Sequence, residues 1–285
     1  MIIVRAVAEL RDAVGAARAG GARVGLVPTM GAFHEGHLSL IRRARERCGF
    51  VIVTLFVNPT QFNDARDLAR YPRDERGDAE LAASAGADVL FAPAVSEVYP
   101  PGFSSMVEVR GVSAPLEGVV RGPEHFRGVA TVVTKLFNMA QPDDAFFGQK
   151  DAQQALLIRR MVRDLDIPVR IEVCPTVREA DGLAMSSRNA LLESEARERA
   201  PILYGALSMV ATLVERGASV DDALARARAH LGTRGVEPEY LAAVSTDTLE
   251  PVHAVNGETL VAIAARFGAV RLIDNILLNP AERDG

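Results

Sequence analysis

Apolar positions in the first two thirds of the chain change period repeatedly. Short, largely apolar runs at Val24–Pro28, Val51–Val57, Asp88–Pro93, Ala145–Phe147 and Val169–Val173 read as strands. Between them Gly36–Arg47, Glu80–Ala85, Val129–Met139 and Ala152–Asp164 follow helical spacing, with apolar residues on one face. Buried strands alternating with helices predict crossover units and therefore a parallel sheet. The style changes after Thr176–Asn189, a polar stretch with an Asp181–Gly182 turn signal and no period. Ser194 reads as the cap of a helix running to about Glu215, and Asp221–Leu231 as a second helix. Strand-like segments follow at Tyr240–Val244, Thr259–Ala264 and Val270–Leu278, and Asn279–Gly285 is expected to be loose. The pattern predicts an α/β chain with a boundary near Val177: a parallel-sheet domain over 1–176 and a smaller α+β domain over 177–285.

Composition narrows the class. The chain has 285 residues, 48% hydrophobic and 24% charged, which fits a globular protein of about two domains and excludes a disordered one. With 32 Lys and Arg against 37 Asp and Glu, the net charge of −5 argues against a nucleic-acid binder. No apolar stretch approaches the ~20 residues of a membrane span, and the N-terminus lacks a signal-peptide pattern, so the expectation is a cytoplasmic protein without a membrane partner. Cys48 and Cys174 stand far apart and read as reduced, buried thiols.

Four motifs carry chemistry. Val27–His37 joins the end of a strand to the start of a helix, aiming backbone N–H groups and a helix dipole at one spot, which favours an anion such as phosphate. His34 and His37, three apart, share one side of a helical turn and are suited to donate to phosphate oxygens. Their spacing departs from the four-residue spacing of zinc proteases, while plain helix-start histidines remain the bland alternative. In Phe56–Phe62, Asn58 and Gln61 overhang the carboxyl end of a strand, where amides suit a substrate bearing a carboxylate and hydroxyls; a simple Asn58 turn is the alternative. In Phe147–Gln154, Lys150 stands at a helix start where the dipole disfavours a cation, which a bound polyphosphate would explain. A capping box between Asp151 and Gln154 would need no ligand. Met185–Asn189 offers two hydroxyls and a guanidinium, a clamp for departing pyrophosphate on a loop able to close over nucleotide.

In this order the motifs resemble the pantoate–β-alanine ligases, the pantothenate synthetases of the H-x-G-H nucleotidylyltransferase superfamily. Met30–His37 is similar to the family's first signature, Asn58–Phe62 to its N-P-x-Q-F loop, Gly148–Gln154 to G-x-K-D-x-Q-Q, and Met185–Asn189 to its version of K-M-S-K-S. The likeness runs from Val24 to Leu192 and returns at Arg271–Leu277. It implies a Rossmann-like first domain that binds ATP and pantoate, and a reaction in which the pantoate carboxylate attacks the α-phosphate. Pantoyl adenylate and pyrophosphate form, and the amine of β-alanine then releases AMP. ATP would be surrounded by Met30, Gly31, Ala32, Phe33, His34, Glu35, Gly36, His37, Gly148, Gln149, Lys150, Asp151, Val177, Met185, Ser186, Ser187 and Arg188. Of these His37, His34, Lys150, Ser186, Ser187 and Arg188 would serve catalysis, with His37 the acid at the phosphates. Gln61 and Gln154 would hold pantoate, Gln61 would also reach β-alanine, and Mg²⁺ would accompany the phosphates with Asp78 as neighbour. The resemblance also implies a homodimer. Two departures stand out: Arg121–Val129 carries one residue more than the family's R-P-x-H-F-x-G-V, and Gln61–Asp67, with Asn63, Asp64 and Arg66, is poorer in glycine. Other readings are a different nucleotidylyltransferase, which would have no use for two amides, and a nucleotide-binding regulator, which the presence of His37, Lys150 and Arg188 disfavours.

Overall fold

The structure, a computed structural model, describes residues 1–62 and 65–280. Asn63 and Asp64, named above for their departure from the family pattern, and residues 281–285 of the expected loose tail lie outside the described residues. The strands are β1 (Ile2–Val4), β2 (Val24–Val27), β3 (Phe50–Thr54), β4 (Val89–Phe91), β5 (Asp144–Gly148), β6 (Arg170–Cys174), β7 (Pro238–Ser245), β8 (Thr259–Phe267) and β9 (Val270–Leu278). The helices are α1 (Val7–Ala19), α2 (Glu35–Arg47), α3 (Ala65–Arg70), α4 (Glu75–Ser84), α5 (Val95–Val98), α6 (Glu117–Arg121), α7 (Pro123–Ala140), α8 (Ala152–Asp164), α9 (Ser194–Arg199), α10 (Ile202–Glu215) and α11 (Val220–Gly232).

The chain divides into two compact units: Met1–Gln149 with Gln153–Pro175, and Lys150–Ala152 with the chain from Thr176 onward. The sequence places one cut near Val177. The structure adds that the Lys150 turn groups with the second unit.

In the first unit six parallel strands follow the order β1-β4-β3-β2-β5-β6. Every residue of β2 and β4 is buried, the mark of a sheet covered on both faces. Val27, Leu38, Ile41, Ala44, Val51, Val53, Ala82, Leu90 and Phe146 form one apolar cluster between the sheet and the helices over it. The chain leaves β2 toward β3 on one side while β5 flanks it on the other. This is the topological switch point, beyond whose strand ends such sheets bind ligands. At the opposite end of β5, Asp144 is fully buried: burial pushes its carboxyl up, but Arg23 and Arg170 hold it below the usual range.

The second unit packs α10 and α11 on an antiparallel sheet ordered β7-β8-β9. Leu203, Leu207, Val210, Ala223, Ala227, Leu231, Val261 and Ile263 are buried there together. The helix expected from Ser194 to Glu215 is two, interrupted at Ala200–Pro201, because proline cannot supply the backbone N–H that a continuous helix needs. Glu193, rather than Ser194, stands at the cap position of α9. Among the described residues no helix is long and apolar enough to cross a membrane.

Candidate active site

The loop after β2 begins where Thr29 ties it to β3: its N–H donates to Thr54 Oγ1 at 3.0 Å and its hydroxyl to the Thr54 carbonyl. Gly31 follows at φ 93° and Ala32 at φ 54°. A Cβ on Gly31 would stand 2.6 Å from Leu55 Cδ1 and 2.8 Å from Asp78 Oδ2, so glycine is required on both counts. The left-handed conformation of Ala32 costs roughly 1–2 kcal/mol. Asp78, on the first turn of α4 and 4% exposed, holds it there. Asp78 Oδ2 accepts the Ala32 N–H at 2.9 Å and Oδ1 accepts the Phe33 N–H at 2.7 Å.

His34 is the N-cap of α2, its Nδ1 accepting the Gly36 N–H at 3.1 Å, and His37 Nδ1 accepts the His34 N–H at 3.4 Å. An imidazole that accepts through Nδ1 carries its neutral-state proton on Nε2, so the backbone fixes both rings as Nε2–H donors. The ring centroids are 4.2 Å apart, and Phe33 packs 5.4 Å from His37. The three-residue spacing thus does bring the histidines to one side of the turn.

Asn58 and Gln61 have different parts. The sequence suggests that both overhang the crevice; Asn58 is in fact 1% exposed and its amide is engaged internally. Its Nδ2 donates to Gln61 Oε1 at 3.0 Å and to the Gly128 carbonyl at 3.2 Å, while Oδ1 accepts from Thr60 and from the Tyr99 hydroxyl, both at 2.9 Å. Asn58 therefore orients Gln61, whose Nε2 also lies 3.0 Å from Met30 Sδ, linking this turn to the histidine loop. His125 Nδ1 is 2.8 Å from the Gln61 carbonyl. Gly128 lets α7 reach the turn, since a Cβ there would overlap the Thr60 carbonyl. Within Arg121–Val129, Gly122 at φ 76° separates α6 from α7, which starts at Pro123. Arg121 pairs with buried Glu117 at 2.9 Å, and Glu124 pairs with Arg127.

Gly148 ends β5, followed by a tight turn over Gln149–Asp151. Gln154 is half-buried on α8. Its neighbour Gln153, without a role in the sequence reading, is the buried amide: it receives the Glu117 N–H at 2.9 Å and donates to the Val112 and Pro115 carbonyls.

The second unit holds the other candidates. Lys150 is largely covered, its Nζ 3.8 Å from Asp151 Oδ1, and its carbonyl accepts from Asn275 Nδ2 at 3.0 Å. The polar stretch after β6 contains a short hairpin in which Met185 N–H donates to the Val177 carbonyl at 2.9 Å and Glu179 N–H to the Leu183 carbonyl at 2.8 Å. Val177 and Met185 are thereby adjacent. Ser186 Oγ caps the turn that follows by accepting the Arg188 N–H at 3.3 Å; Ser187 is half-buried and Arg188 exposed. Asn189 anchors the turn by donating to Glu179 at 2.8 Å and to the Ala184 carbonyl at 3.1 Å. Arg178 is bidentate to Asp274, at 2.6 and 3.0 Å, and stacks 3.8 Å over the Tyr204 ring. Burial pushes the Asp274 carboxyl above its ordinary range, against the pull of Arg178, the Asn275 amide and the Lys150 charge. Asp274 and Asn275 have no role in the sequence reading, although a polar pair inside the apolar run of β9 was the available signal. Cys48 and Cys174 are free and buried, and burial pushes both thiols up to about 11.

A parallel sheet whose switch-point strand ends in an amide-presenting, two-histidine turn marks an α/β enzyme with its chemistry beyond the carboxyl strand ends. The pantoate-beta-alanine ligase family model matches residues 2–277. Pantothenate synthetase from Cereibacter sphaeroides is 55% identical over 275 residues, covering 96% of this chain and 98% of that protein; that of Moorella thermoacetica is 51% identical over 280 residues, covering 98% and 99%. The crystal structure of pantothenate synthetase from Thermus thermophilus superposes with a TM-score of 0.92 at 48% identity, covering 98% of this chain and 100% of that one. Pantoate-beta-alanine ligase from Francisella tularensis, solved with Beta-gamma ATP and beta-alanine, has a TM-score of 0.79 at 35% identity, with 97% of each chain covered. The protein is a ligase. It belongs to the pantoate–β-alanine ligase family.

Proposed function

We propose that the enzyme condenses (R)-pantoate with β-alanine, driven by ATP, through pantoyl adenylate. A pantoate carboxylate oxygen bonds to the α-phosphorus as the bond to the β-phosphate oxygen breaks and pyrophosphate leaves. The amine of β-alanine then adds to the activated carbonyl, AMP departs with the former carboxylate oxygen, and pantothenate remains. Both nucleophiles belong to the substrates, so the protein's task is alignment and compensation of phosphate charge.

The observation that carries this reading is the pair of imidazoles at the start of α2, both fixed as Nε2–H donors by the backbone N–H groups at their Nδ1 atoms. His37, aided by His34, steadies the charge that grows on the leaving pyrophosphate. The amides of Met30–His37 and of Gly148–Asp151, with Val177 and Met185, border the nucleotide. Lys150, Ser186, Ser187 and Arg188 answer the charge of the phosphates, and a guanidinium suits the bidentate geometry of a phosphate. Gln61 and Gln154 take the carboxylate and hydroxyls of pantoate, and Gln61 also meets β-alanine. The complex of the Francisella tularensis relative with Beta-gamma ATP and beta-alanine supports ATP and β-alanine as substrates.

Mg²⁺ fits this donor set as a companion of the triphosphate. Among the described residues no three His, Cys, Asp or Glu side chains form a cage, and Mg²⁺ is commonly held by phosphates plus one or two carboxylates. Asp78 is the carboxylate beneath the loop, and its oxygens keep lone pairs beyond those given to Ala32 and Phe33. Bound there, the ion would neutralise phosphate charge. The family relationship supports a homodimer working in the cytoplasm. AMP release with each substrate omitted in turn tests the assignment: it requires pantoate, β-alanine and ATP together, and AMP formed at the full rate without pantoate would refute it.

A further inference from the structure

Strand β9 reads V-R-L-I-D-N-I-L-L, and Asp274 and Asn275 in its middle are each 3% exposed. Burying a carboxylate and an amide side by side costs stability unless both are fully engaged, and apolar residues would serve the core of this sheet better. The pair is engaged in two directions. Asn275 donates through Nδ2 to the carbonyl of Lys150, while its backbone N–H donates to Asp274 Oδ1 at 2.8 Å. Asp274 takes both arms of Arg178, which also donates to the Gly182 carbonyl at 3.1 Å and lies flat on Tyr204. Gly182 closes the hairpin at φ 93°, where a Cβ would come within 2.8 Å of the Tyr204 ring. One polar pair thus sets the backbone from which the Lys150 ammonium extends and, through Arg178, the hairpin on which Val177 and Met185 face each other.

We infer that Asp274 and Asn275 are positioning residues for nucleotide binding, Asn275 acting through Lys150 and Asp274 through the Val177–Met185 hairpin. This rests on the ATP-binding part of the reading above. Neither side chain need touch a substrate. A phosphate-binding cation works only when its head group is placed to within a fraction of an ångström, so loosening its peptide is felt at the ligand.

The test is a double-substitution cycle read by calorimetric titration of MgATP into the full-length protein. Asn275→Ala should weaken MgATP roughly tenfold, the worth of one buried hydrogen bond, in the parent. In a Lys150→Ala background it should cost less than about twofold, because the group it positions is gone. Asp274→Asn, which keeps the volume and gives up the charge that holds Arg178, should weaken MgATP by about fivefold and leave pantoate binding within about twofold. A loss under about threefold for Asn275→Ala, equal losses in both backgrounds, or parallel losses for pantoate would overturn the inference. Should Asn275→Ala not fold, Asn275→Asp keeps the shape while replacing the donor, and the same cycle applies. A parent that binds MgATP but forms no AMP from pantoate and β-alanine sinks the proposed reaction while the cycle still decides the positioning; a parent that does not bind MgATP overturns both.

Discussion

Replacing Asp78 with asparagine keeps the side-chain volume but turns one of two buried acceptors into a donor. In the parent each carboxylate oxygen accepts one N–H, from Ala32 at 2.9 Å and Phe33 at 2.7 Å. Asparagine can satisfy one of these amides and must point its own N–H at the other. A hydrogen bond to a charged group is worth about 1.5–3 kcal/mol, and a buried amide left unmatched costs about 1–3 kcal/mol. Ala32 adds to the strain, since its φ of 54° is held from one side by this carboxylate. Relaxation of the loop recovers part of the loss, so the net destabilisation should be about 2–4 kcal/mol, which for a unit of this size lowers Tm by roughly 4–16 °C. The same slackening frees the start of α2, where His34 and His37 are set, so single-turnover pyrophosphate release should fall at least about tenfold at about 25 °C with the variant still folded. Thermal melting followed by circular dichroism, beside rapid-quench pyrophosphate release, reads both effects. A Tm within about 1 °C of the parent, or a normal rate in a variant whose melting point has dropped, would refute the linkage between Asp78, the strained loop and the histidines.

Three further outcomes follow from the same geometry. Lys150→Ala should slow pyrophosphate release roughly a hundredfold or more, as loss of one charge-stabilising donor often does; a rate within about threefold of the parent would show that the ammonium does not serve the phosphates. Gln61→Ala should weaken pantoate far more than ATP in calorimetric titrations, because Asn58 holds that amide in place for an acid and its hydroxyls; equal losses would remove the assigned role. Cys48 and Cys174, with thiols raised to about 11, carry about one part in a thousand thiolate at about pH 8 and should resist a disulfide reagent in the native protein. Both should react once the chain is unfolded, and modification of folded protein on mixing would contradict the burial described here.

The parallel sheet was legible because four of its strands are apolar on nearly every position and the helices between them keep a clean face. Strand β1 carries little signal of its own: it is three residues long at the sheet edge, and Ile2 and Ile3 remain about half exposed. Helix α1 is faint in the sequence because only Leu10 and Val14 of its thirteen residues are buried, and its alanine-rich sequence shows a weak face. The four motifs stand out as motifs, since histidines, amides, a lysine and an arginine gather in polar turns between apolar segments. What holds them was not. Asp78, Asn58, Gln153, Asp274 and Asn275 act through partners distant in the sequence or through backbone groups, and single-sequence spacing carries no record of such pairings. Asn58 illustrates the limit, because an amide offered to a ligand and an amide consumed by its own turn look alike until Tyr99 and Gly128 are placed beside it.

The central claim is that the carboxylate of pantoate itself attacks the α-phosphate. Turnover with pantoate labelled by ¹⁸O in both carboxylate oxygens, followed by mass spectrometry of the AMP, tests it most directly. One ¹⁸O should appear in the phosphate of AMP at every turnover, and AMP free of label would contradict the account.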